Sequence, residues 1–315
     1  MKNYFKFNLT GNKLLPVWLI FLVLIIAPFG AIAFQLKDYH MQEDYQALYY
    51  ILPSMLFLGI IAFLITFYLT RLFIEGIEYN GQSLVFKGNI GQFVGIFLLN
   101  LLLSIVTLGI YTPWMVKNIQ KFFVDHSTYS ANPFNFKGKG GELFVIVLVT
   151  VIVPISVLVA FTVVFTLAAH AQNSWIANGV YQVVSKFVMI PYMYFLYKWM
   201  MNVSYKSYSI TWKTDAWEAC GKIFVQMLLT IITLGIYYPM AIIKLYHYFV
   251  GKTVAISDEK TKKFGYDMEP MADFLFLWGQ SLLIIISLGI YYPWGACKML
   301  ERIMGKTYSE NEVAA

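Results

Sequence analysis

Charged residues are scarce in this 315-residue chain, making up 13% of the sequence, whereas hydrophobic residues make up 59%. Soluble domains average about 25% charged residues, so this chain has too little polar surface to cover a particle in water. The scarcity excludes an ordinary soluble domain and predicts a protein that crosses a membrane several times. The 26 Phe and 23 Tyr residues also exclude a disordered chain.

Cysteine and histidine are scarce as well. Cys220 and Cys297 form no CxxC pair, and we expect both to be buried thiols that act as small hydrophobic side chains. The four histidines form no HExxH motif, and the chain has no Gly-rich phosphate loop. We therefore predict no enzyme, no catalytic residues, no metal and no cofactor; a catalytic pair assembled from distant residues is the alternative. The net charge of +6 includes no dense basic run, so no nucleic acid is expected as a partner.

Long apolar stretches are abundant, and seven of them are long enough to cross about 30 Å of hydrocarbon. They cover residues 14–35, 48–72, 91–110, 143–169, 177–202, 221–236 and 271–290. The first is too long for the core of a signal peptide, so we expect an uncleaved helix. Three shorter apolar segments are interrupted by charges, at 113–125, 239–250 and 293–305. An internal repeat in the sequence provides the basis for predicting whether these three segments cross the membrane.

An octapeptide occurs three times, as TLGIYTPW at 107–114, TLGIYYPM at 233–240 and SLGIYYPW at 287–294. Each copy follows a long apolar helix and precedes a short segment that carries lysine. Glycine permits the left-handed backbone that ends a helix, and proline suits the first turn of the next one. The residues that form these predicted breaks are Gly109, Pro113, Gly235, Pro239, Gly289 and Pro293.

Two further breaks are predicted at comparable spacing, in the polar loop 36–46 and the turn 172–175. Five helical hairpins follow, and the predicted fold is an all-α polytopic membrane protein with about ten transmembrane helices. The repeat units of this single membrane domain are expected at about 1–75, 76–130, 131–205, 206–255 and 256–308, followed by a tail at 309–315. Short alternating stretches between the hairpins, one with the turn signal Asn80-Gly81, predict small cytoplasmic β-hairpins.

These motifs resemble the YjgN-like family of uncharacterised bacterial inner-membrane proteins. The resemblance rests on the repeated Leu-Gly-Ile-Tyr-x-Pro with its following lysine, and on the glycine-rich stretch 134–144 between hairpins. It extends from about residue 75 to about residue 308. It implies a multi-pass protein of the bacterial inner membrane and brings no assigned activity and no known functional residues.

Basic residues indicate the orientation. With five hairpins, every lysine and arginine except Lys37 and Lys186 belongs to the side of the termini, so the positive-inside rule predicts that both termini are cytoplasmic. In the alternative topology the three short segments lie flat at the membrane surface and seven helices cross. That topology places basic stretches such as 137–139 and 252–263 on opposite sides, which the rule disfavours.

Polar residues recur in register around the repeated octapeptide. An amide precedes each copy by seven residues, a lysine follows ten or eleven residues after its start, and an ionisable group follows at fourteen. The amides are Asn100, Gln226 and Gln280, the lysines are Lys117, Lys244 and Lys298, and the ionisable groups are Lys121, His247 and Glu301. A charge inside a bilayer costs roughly 2.5–3.5 kcal/mol on insertion scales, so such groups are expected to face a polar interior. Alternatively, the amides join helices and the lysines reach along the bilayer to its surface.

The sequence thus leaves two functions open. One is a permease or channel whose lysine-bearing interior takes a small anion or a lipid headgroup. The other is a non-transporting membrane scaffold or envelope partner, in which the repeat only builds a helix bundle. In both cases the lipid bilayer is a partner; substrate, energy source and oligomeric state do not follow from the sequence.

Overall fold

The computed structural model describes residues 2–32, 34, 48–168, 174–257 and 260–311. Within these ranges the chain repeats one order of elements, in which a strand, a helical segment that turns back on itself, and a second strand follow one another. The strands are β1 Asn3–Phe7, β2 Ile77–Tyr79, β3 Gln82–Ser83, β4 Val85–Phe86, β5 Ser127–Tyr129, β6 Asn132–Phe136, β7 Val203–Tyr205, β8 Tyr208–Trp212, β9 Thr253–Ile256, β10 Thr261–Tyr266 and β11 Thr307–Asn311.

The helices are α1 Gly11–Ile32, α2 Leu48–Gly76, α3 Ile90–Val106, α4 Thr112–Asp125, α5 over Gly140–Val147, Leu148–Ile152 and Val153–Ala168, α6 Ser174–Val188, α7 Ile190–Met200, α8 Ala216–Ile232, α9 Tyr238–Gly251, α10 Pro270–Ile286 and α11 Tyr292–Gly305. Helices α1 and α5 each contain one π-helical segment, at Leu22–Ile26 and Leu148–Ile152. Of the described helices, α1, α5 and the Pro53–Gly76 part of α2 are long and apolar enough to cross a membrane.

All the described strands belong to one antiparallel sheet, in the order β3-β2-β1-β11-β10-β9-β8-β7-β6-β5-β4. The first and last strands of the chain are neighbours, with Asn3 opposite Ser309. The two edge strands, β3 and β4, are consecutive in the chain and are separated only by Leu84, whose amide donates to the Ile77 carbonyl at 2.9 Å. The sheet therefore curls into a nearly closed barrel.

Aromatic side chains fill the concave side of this barrel. The rings of Tyr129 and Tyr205 are 5.9 Å apart although β6 lies between their strands. The rings of Tyr79 and Tyr129 are 5.8 Å apart although the two edge strands, β3 and β4, lie between theirs. Such contacts form only where the sheet curves towards them. The Tyr205 hydroxyl donates to the Tyr129 carbonyl at 2.8 Å, and the Tyr129 hydroxyl donates to the Tyr79 carbonyl at 3.1 Å. Burial raises the pKa of Tyr129 and of Tyr205, so both hydroxyls stay protonated.

Tight turns join neighbouring strands at one end of the sheet, and the helical segments leave from the other end. The turn at Asn80-Gly81 has positive φ at both residues, and Lys206 has a φ of 52° in the turn between β7 and β8. Because the strands are antiparallel and these connections alternate along the chain, the helical segments all extend from the same end. That arrangement forms a sheet at one end of the molecule and a cluster of helices at the other.

The fourth residue of each outgoing helix is fully or almost fully buried. These residues are Leu14, Phe93, Leu143, Ala219 and Asp273. The residue seven positions earlier, at the end of a strand, is aromatic in every case: Phe7, Phe86, Phe136, Trp212 and Tyr266. A core therefore lies under each helical segment at the helix end of the sheet, and the fifth core alone in this set contains a carboxylate.

Neighbouring segments pack in the same way at two junctions. A Cβ on Gly140 would lie 2.5 Å from the Trp114 ring, and a Cβ on Gly11 would lie 2.5 Å from the Trp294 ring, so only glycine admits each indole. The second contact joins the last helix of the chain to the first. Helix α9, which begins in the second copy of the octapeptide, has Met240 where α4 and α11 have tryptophan.

The prediction of an all-α protein with ten transmembrane helices is wrong. The short alternating stretches do not form separate hairpins outside the membrane; they pair into one sheet. Helices α3, α8 and α10 have 17 residues and α4, α9 and α11 have 14, which correspond to about 26 and 21 Å, and hydrocarbon is about 30 Å thick. The apolar stretches looked longer in sequence because residues 107–110, 233–236 and 287–290 belong to the breaks.

Other predictions fall partly outside the described ranges. The polar loop 36–46 with Lys37 and residues 172–173 of the third predicted break lie in segments that the structure does not describe. Residues 309–311 of the predicted tail continue β11, where Ser309 is buried. Cys297 is buried and Cys220 is half-buried, both as free thiols.

Candidate functional site

The three octapeptide breaks share one backbone conformation. Each glycine has a φ between 85° and 88°, and the leucine before it has a φ of 49–50°. In the second copy the Thr233 hydroxyl oxygen accepts from the Tyr237 amide at 3.0 Å, and Thr107 and Ser287 make the same bond in the other copies. The hydroxyl residue thus caps the turn, which explains why threonine or serine begins every copy.

In the fifth unit, a tyrosine connects the predicted amide to the predicted lysine. The Tyr291 hydroxyl donates to Gln280 Oε1 at 3.1 Å and accepts from Lys298 Nζ at 3.1 Å. Gln280 lies on α10, whereas Lys298 lies on α11. The hydrogen bonds therefore join the two limbs of the hairpin through a side chain of the break.

The fourth unit repeats this arrangement. The Tyr237 hydroxyl donates to Gln226 Oε1 at 2.9 Å, and Lys244 Nζ lies 5.5 Å from the centre of the Tyr237 ring. The ammonium contacts the face of the ring rather than the hydroxyl, a cation–π arrangement. The same three residue types meet, in a slightly different geometry.

In the second unit an asparagine takes the place of the tyrosine. Asn118 Nδ2 donates to Asn100 Oδ1 at 2.7 Å, and Lys117 Nζ donates to Asn118 Oδ1 at 3.3 Å. Counted from the proline of each break, Asn118 and not Lys117 is equivalent to Lys244 and Lys298. Asn100 is buried and also donates to the Ile96 carbonyl at 2.6 Å.

The structure does not bring the three predicted ionisable groups together. Lys121 forms an ion pair with Asp125 one turn further along α4. His247 Nδ1 lies 3.1 Å from the Tyr266 carbonyl oxygen, and Glu301 is exposed on α11. They occupy equivalent positions on three helices, but each has a different environment.

Sequence reasoning missed the tyrosines and Asn118. The signal was available, because tyrosine stands two residues before the proline in every octapeptide and was read there only as part of the break. Strict counting from the proline would also have found Asn118. The amide and the lysine were chosen from the limbs, whereas the residue that joins them in the fourth and fifth units belongs to the turn.

A groove of about 710 Å³ lies along the fourth hairpin, between α8 and α9. Its lining includes the predicted Gln226, Lys244 and His247, and it continues to the sheet end of the hairpin, where Lys252 lies. Other basic, aromatic and acidic side chains in the lining are Lys222, Trp217, Tyr248 and Glu218.

A cluster of ionic groups lies at the sheet end of the fifth hairpin. The buried Asp273 carboxylate accepts from Lys306 Nζ at 2.6 Å, Arg302 Nε at 2.8 Å and the Tyr266 hydroxyl at 2.9 Å. The Glu269 amide donates to it as well. Burial and this carboxylate raise the pKa of Tyr266, so its hydroxyl stays protonated and donates. The donors of this cluster all come from the protein, and its carboxylate is fully used.

The described ranges contain no group of three or more His, Cys, Asp or Glu side chains that could hold a metal ion. The lysines can donate hydrogen bonds to an anion and neutralise it, whereas the hydroxyls of Tyr237 and Tyr291 already donate to Gln226 and Gln280.

A family model described as a bacterial protein of unknown function (DUF898) matches residues 2–269. The chain belongs to this family. The resemblance to YjgN-like proteins is confirmed: the inner membrane protein YjgN of Salmonella typhimurium is 38% identical over 71 residues, which are 22% of this chain and 18% of that protein. The aligned region thus spans less than a fifth of that relative's length. No solved structure matches the chain.

These comparisons and the helix lengths agree on location. The relative is an inner membrane protein, and α1, α5 and most of α2 are long and apolar enough to cross a membrane. The relative supports a location in the bacterial inner membrane, and the helix lengths support a membrane location. Neither assigns an activity.

Proposed function

We propose that this protein is a multi-pass permease or channel of the bacterial inner membrane whose lysine-bearing polar faces take a small anion or a lipid headgroup. The observation that carries the proposal is the division of α9 into two exposed faces. Lys244 and His247 are exposed on one side, whereas Ile242 and Tyr238 are exposed on roughly the opposite side, at about 100° per residue. The buried residues Ile243 and Ala241 lie between these two exposed faces, on opposite sides of α9. A wall helix between lipid and a polar interior has this pattern.

The ends of the short hairpins support contact with lipid. Leu108 and Leu234 are each 93% exposed and Leu288 is 88% exposed, which is unfavourable in water and favourable in hydrocarbon. Backbone carbonyls near these turns also have partners: Trp278 Nε1 donates to the Ile236 carbonyl at 2.8 Å, and Trp18 Nε1 donates to the Gly289 carbonyl at 2.9 Å. Backbone polar groups in hydrocarbon need such partners.

Basic residues support an orientation with the sheet in the cytoplasm. Lys6, Lys262 and Lys263 lie on strands of the sheet, Lys206 lies in one of its turns, and Lys2 directly precedes β1. Under the positive-inside rule this end faces the cytoplasm. Both termini then lie on the cytoplasmic side, because β1 and β11 belong to the sheet.

The filled barrel favours the second candidate, a non-transporting scaffold. Tyr79, Tyr129 and Tyr205 occupy the concave side of the sheet and are hydrogen-bonded to one another's strands. A solute that follows the barrel axis would need these rings to move. A permease would therefore use a side opening between the helices and the sheet, or a state in which the rings have separated.

Reconstituted vesicles distinguish the two. We expect vesicles with the full chain to move at least one of three probes: radiolabelled phosphate, radiolabelled sulfate, or fluorescent phosphatidylglycerol between leaflets. The triple variant Lys117→Met, Lys244→Met, Lys298→Met should then lose that movement at least about tenfold. A matched triple variant of exposed lysines at the sheet end, Lys206→Met, Lys213→Met, Lys260→Met, should keep it. If the wild-type protein moves none of the probes, the scaffold replaces the permease.

A further inference from the structure

The groove between α8 and α9 contains a buried hydroxyl with no well-placed partner. Among the described residues, the Tyr248 hydroxyl oxygen is buried and makes no hydrogen bond of ordinary geometry, although the Glu218 carboxylate lies close enough to interact with it. Nearby tyrosines are satisfied: Tyr246 bonds to Thr307 at 2.9 Å and Tyr194 bonds to Thr214 at 2.8 Å. A buried hydroxyl without a partner is unfavourable, so a ligand that supplies an oxygen would stabilise it.

Two ammonium groups flank the same tyrosine. Lys222 Nζ lies 5.2 Å and Lys252 Nζ lies 5.6 Å from the centre of the Tyr248 ring. Lys244 adds a third positive charge further along the groove, and among the described lining residues Glu218 is the only acidic one, 3.8 Å from Lys252. The three lysines and the one glutamate of the lining leave a formal excess of two positive charges. A hydroxyl donor beside two ammonium groups suits a phosphate group.

The equivalent positions of the other octapeptide-bearing units lack this combination. In the second unit Ile96 and Phe122 replace Lys222 and Tyr248. In the fifth unit Phe276 replaces Lys222, and the cations at the positions of Tyr248 and Lys252 are bound by Asp273. The fourth unit has Ala219 at the position of Asp273. Its basic groups are therefore without the internal carboxylate that neutralises their counterparts.

The location of the groove indicates where its ligand comes from. Lys222 is the seventh residue of α8 and lies about 9 Å along the helix from its start at the sheet end. Trp217, at the same end, is 87% exposed, and tryptophan prefers the membrane interface. Val225 and Phe224 then continue as exposed apolar surface towards the tip of the hairpin. Basic pockets between helices at the cytoplasmic surface suit anionic lipid headgroups.

We propose that this groove binds the phosphate group of an anionic phospholipid of the cytoplasmic leaflet, held by Lys222, Lys252 and the Tyr248 hydroxyl, with acyl chains along the apolar side of α8. The inference deepens the proposed function, because it names the ligand of one polar face and shares its orientation. Binding can nevertheless be measured without transport.

Native mass spectrometry of the full chain in detergent tests the site, with dioleoyl phosphatidylglycerol as the probe and dioleoyl phosphatidylcholine as its neutral counterpart. We expect phosphatidylglycerol to bind preferentially. The double variant Lys222→Met, Lys252→Met and the single variant Tyr248→Phe should each weaken that binding by about fivefold or more. The matched double variant Lys213→Met, Lys260→Met should bind as the wild type does.

The tyrosine variants separate binding from stability. Because the Tyr248 hydroxyl makes no hydrogen bond of ordinary geometry to a described group, Tyr248→Phe should keep or raise the melting temperature while it weakens lipid binding. Tyr246→Phe loses its bond to Thr307 and should lower the melting temperature while lipid binding stays the same. Equal lipid binding by wild type, Tyr248→Phe and the double lysine variant would overturn the proposal.

The last experiment tests inorganic phosphate and glycerophosphate as ligands of the same groove. If either compound binds where phosphatidylglycerol does not, the phosphate site stands and its assignment to a lipid is overturned. Lipid binding with no movement of any probe in vesicles would contradict the proposed permease and keep this site. Movement of a probe together with unselective lipid binding would support the proposed permease and contradict this lipid site.

Discussion

Tyr291 illustrates how single side chains of the break control contacts between limbs. Its hydroxyl accepts from Lys298 and donates to Gln280, so one atom holds a cation of one helix and an amide of the other. An isolated lysine in an apolar setting would be costly, and this bond gives it an acceptor. At this scale the polar residues form small networks within each hairpin rather than one chain of bonds across the molecule.

Replacing Tyr291 by phenylalanine tests this network. Tyr291→Phe leaves the ring in place and removes the hydroxyl, so we expect a loss of about 0.5–1.5 kcal/mol in the free energy of unfolding. Equilibrium unfolding in detergent micelles measures it. Tyr292→Phe is the control, because the Tyr292 ring stacks on Trp18 at 4.2 Å and should keep that contact. An equal effect of both variants would show that the hydroxyl of Tyr291 contributes nothing specific.

Asp273 is the second test at this scale. Its carboxylate is buried and holds Arg302 and Lys306, so Asp273→Asn leaves two cations with much less compensation. Breaking a buried ionic cluster in this way costs about 3–5 kcal/mol. We expect a large fall in melting temperature, measured by the same unfolding assay. Ala219→Ser changes the equivalent position of the fourth unit and should have a much smaller effect; comparable losses would contradict a special role for the carboxylate.

The repeated break is the element that shapes the helical end of the molecule. Two successive residues, Leu234 and Gly235 in the second copy, have positive φ, and the Gly235 amide donates to the Thr230 carbonyl at 2.8 Å. This reversal ends α8 and starts α9 within five residues. The leucine accepts a conformation that costs about 1–2 kcal/mol for an L-residue, which its contact with lipid would offset.

Alanine at the glycine tests the break. Gly235→Ala forces a Cβ into a φ of 88°, and we expect it to lower the free energy of unfolding by about 1–2 kcal/mol. Gly279→Ala, within α10 and with no atom near its added Cβ, should be neutral or stabilising, since alanine favours a helix by about 0.5–1 kcal/mol. Circular dichroism during thermal unfolding compares the two. A destabilising Gly279→Ala with a neutral Gly235→Ala would contradict this description.

The sequence was sufficient to predict the octapeptide breaks but not the sheet. The breaks are local: glycine and proline lie four positions apart and act on their own backbone. The strands have between two and six residues, and β1 pairs with β11 from the other end of the chain. Nothing within such short stretches specifies a partner at that distance. For the networks of Gln226 and Gln280, the sequence predicted the amides and the lysines, because these recur in register. It did not predict the tyrosines that join them, because those were assigned to the turn.

At the scale of the whole molecule, contacts between the two ends of the chain close the ring of repeats. Strand β1 pairs with β11, and Lys2 Nζ donates to Asp267 Oδ1 at 2.6 Å, beside the Tyr4 hydroxyl, which donates to the same carboxylate at 2.7 Å. Gly11 against Trp294 continues this junction into the helices. The N-terminal strand is therefore an integral part of the sheet.

The Lys2–Asp267 pair predicts a pH dependence. The hydrogen bonds from Lys2 and Tyr4 lower the pKa of Asp267, so its contribution to stability is complete above the ordinary value of 3.8 and is lost as the pH falls through the folded pKa. The bond to Asp267 raises the pKa of Lys2, so the pair persists up to 10.5 and is lost as the pH rises through the folded pKa. Both groups are partly exposed, so the effect is small.

Melting curves of wild type and Asp267→Asn between about pH 3 and about pH 11.5 measure this dependence, with the pH limits taken as roughly one unit beyond each reference pKa. We expect the wild type to melt slightly higher at neutral pH and the two curves to converge at acid pH. Glu310→Gln, at the far end of β11, is the control and should not show the same convergence. A gap that widens as the pH falls would contradict the assigned sign.

The placement of the helical tips in lipid is the claim on which the polar interior and the lipid groove both depend. Spin labels at Leu234→Cys, at a tip, and Ser207→Cys, in a turn of the sheet, report it in vesicles through collisions with oxygen and with a water-soluble nickel complex. We predict that the label at 234 collides mainly with oxygen and the label at 207 mainly with nickel. A label at 234 as accessible to nickel as the one at 207 would place the tips in water and contradict the account.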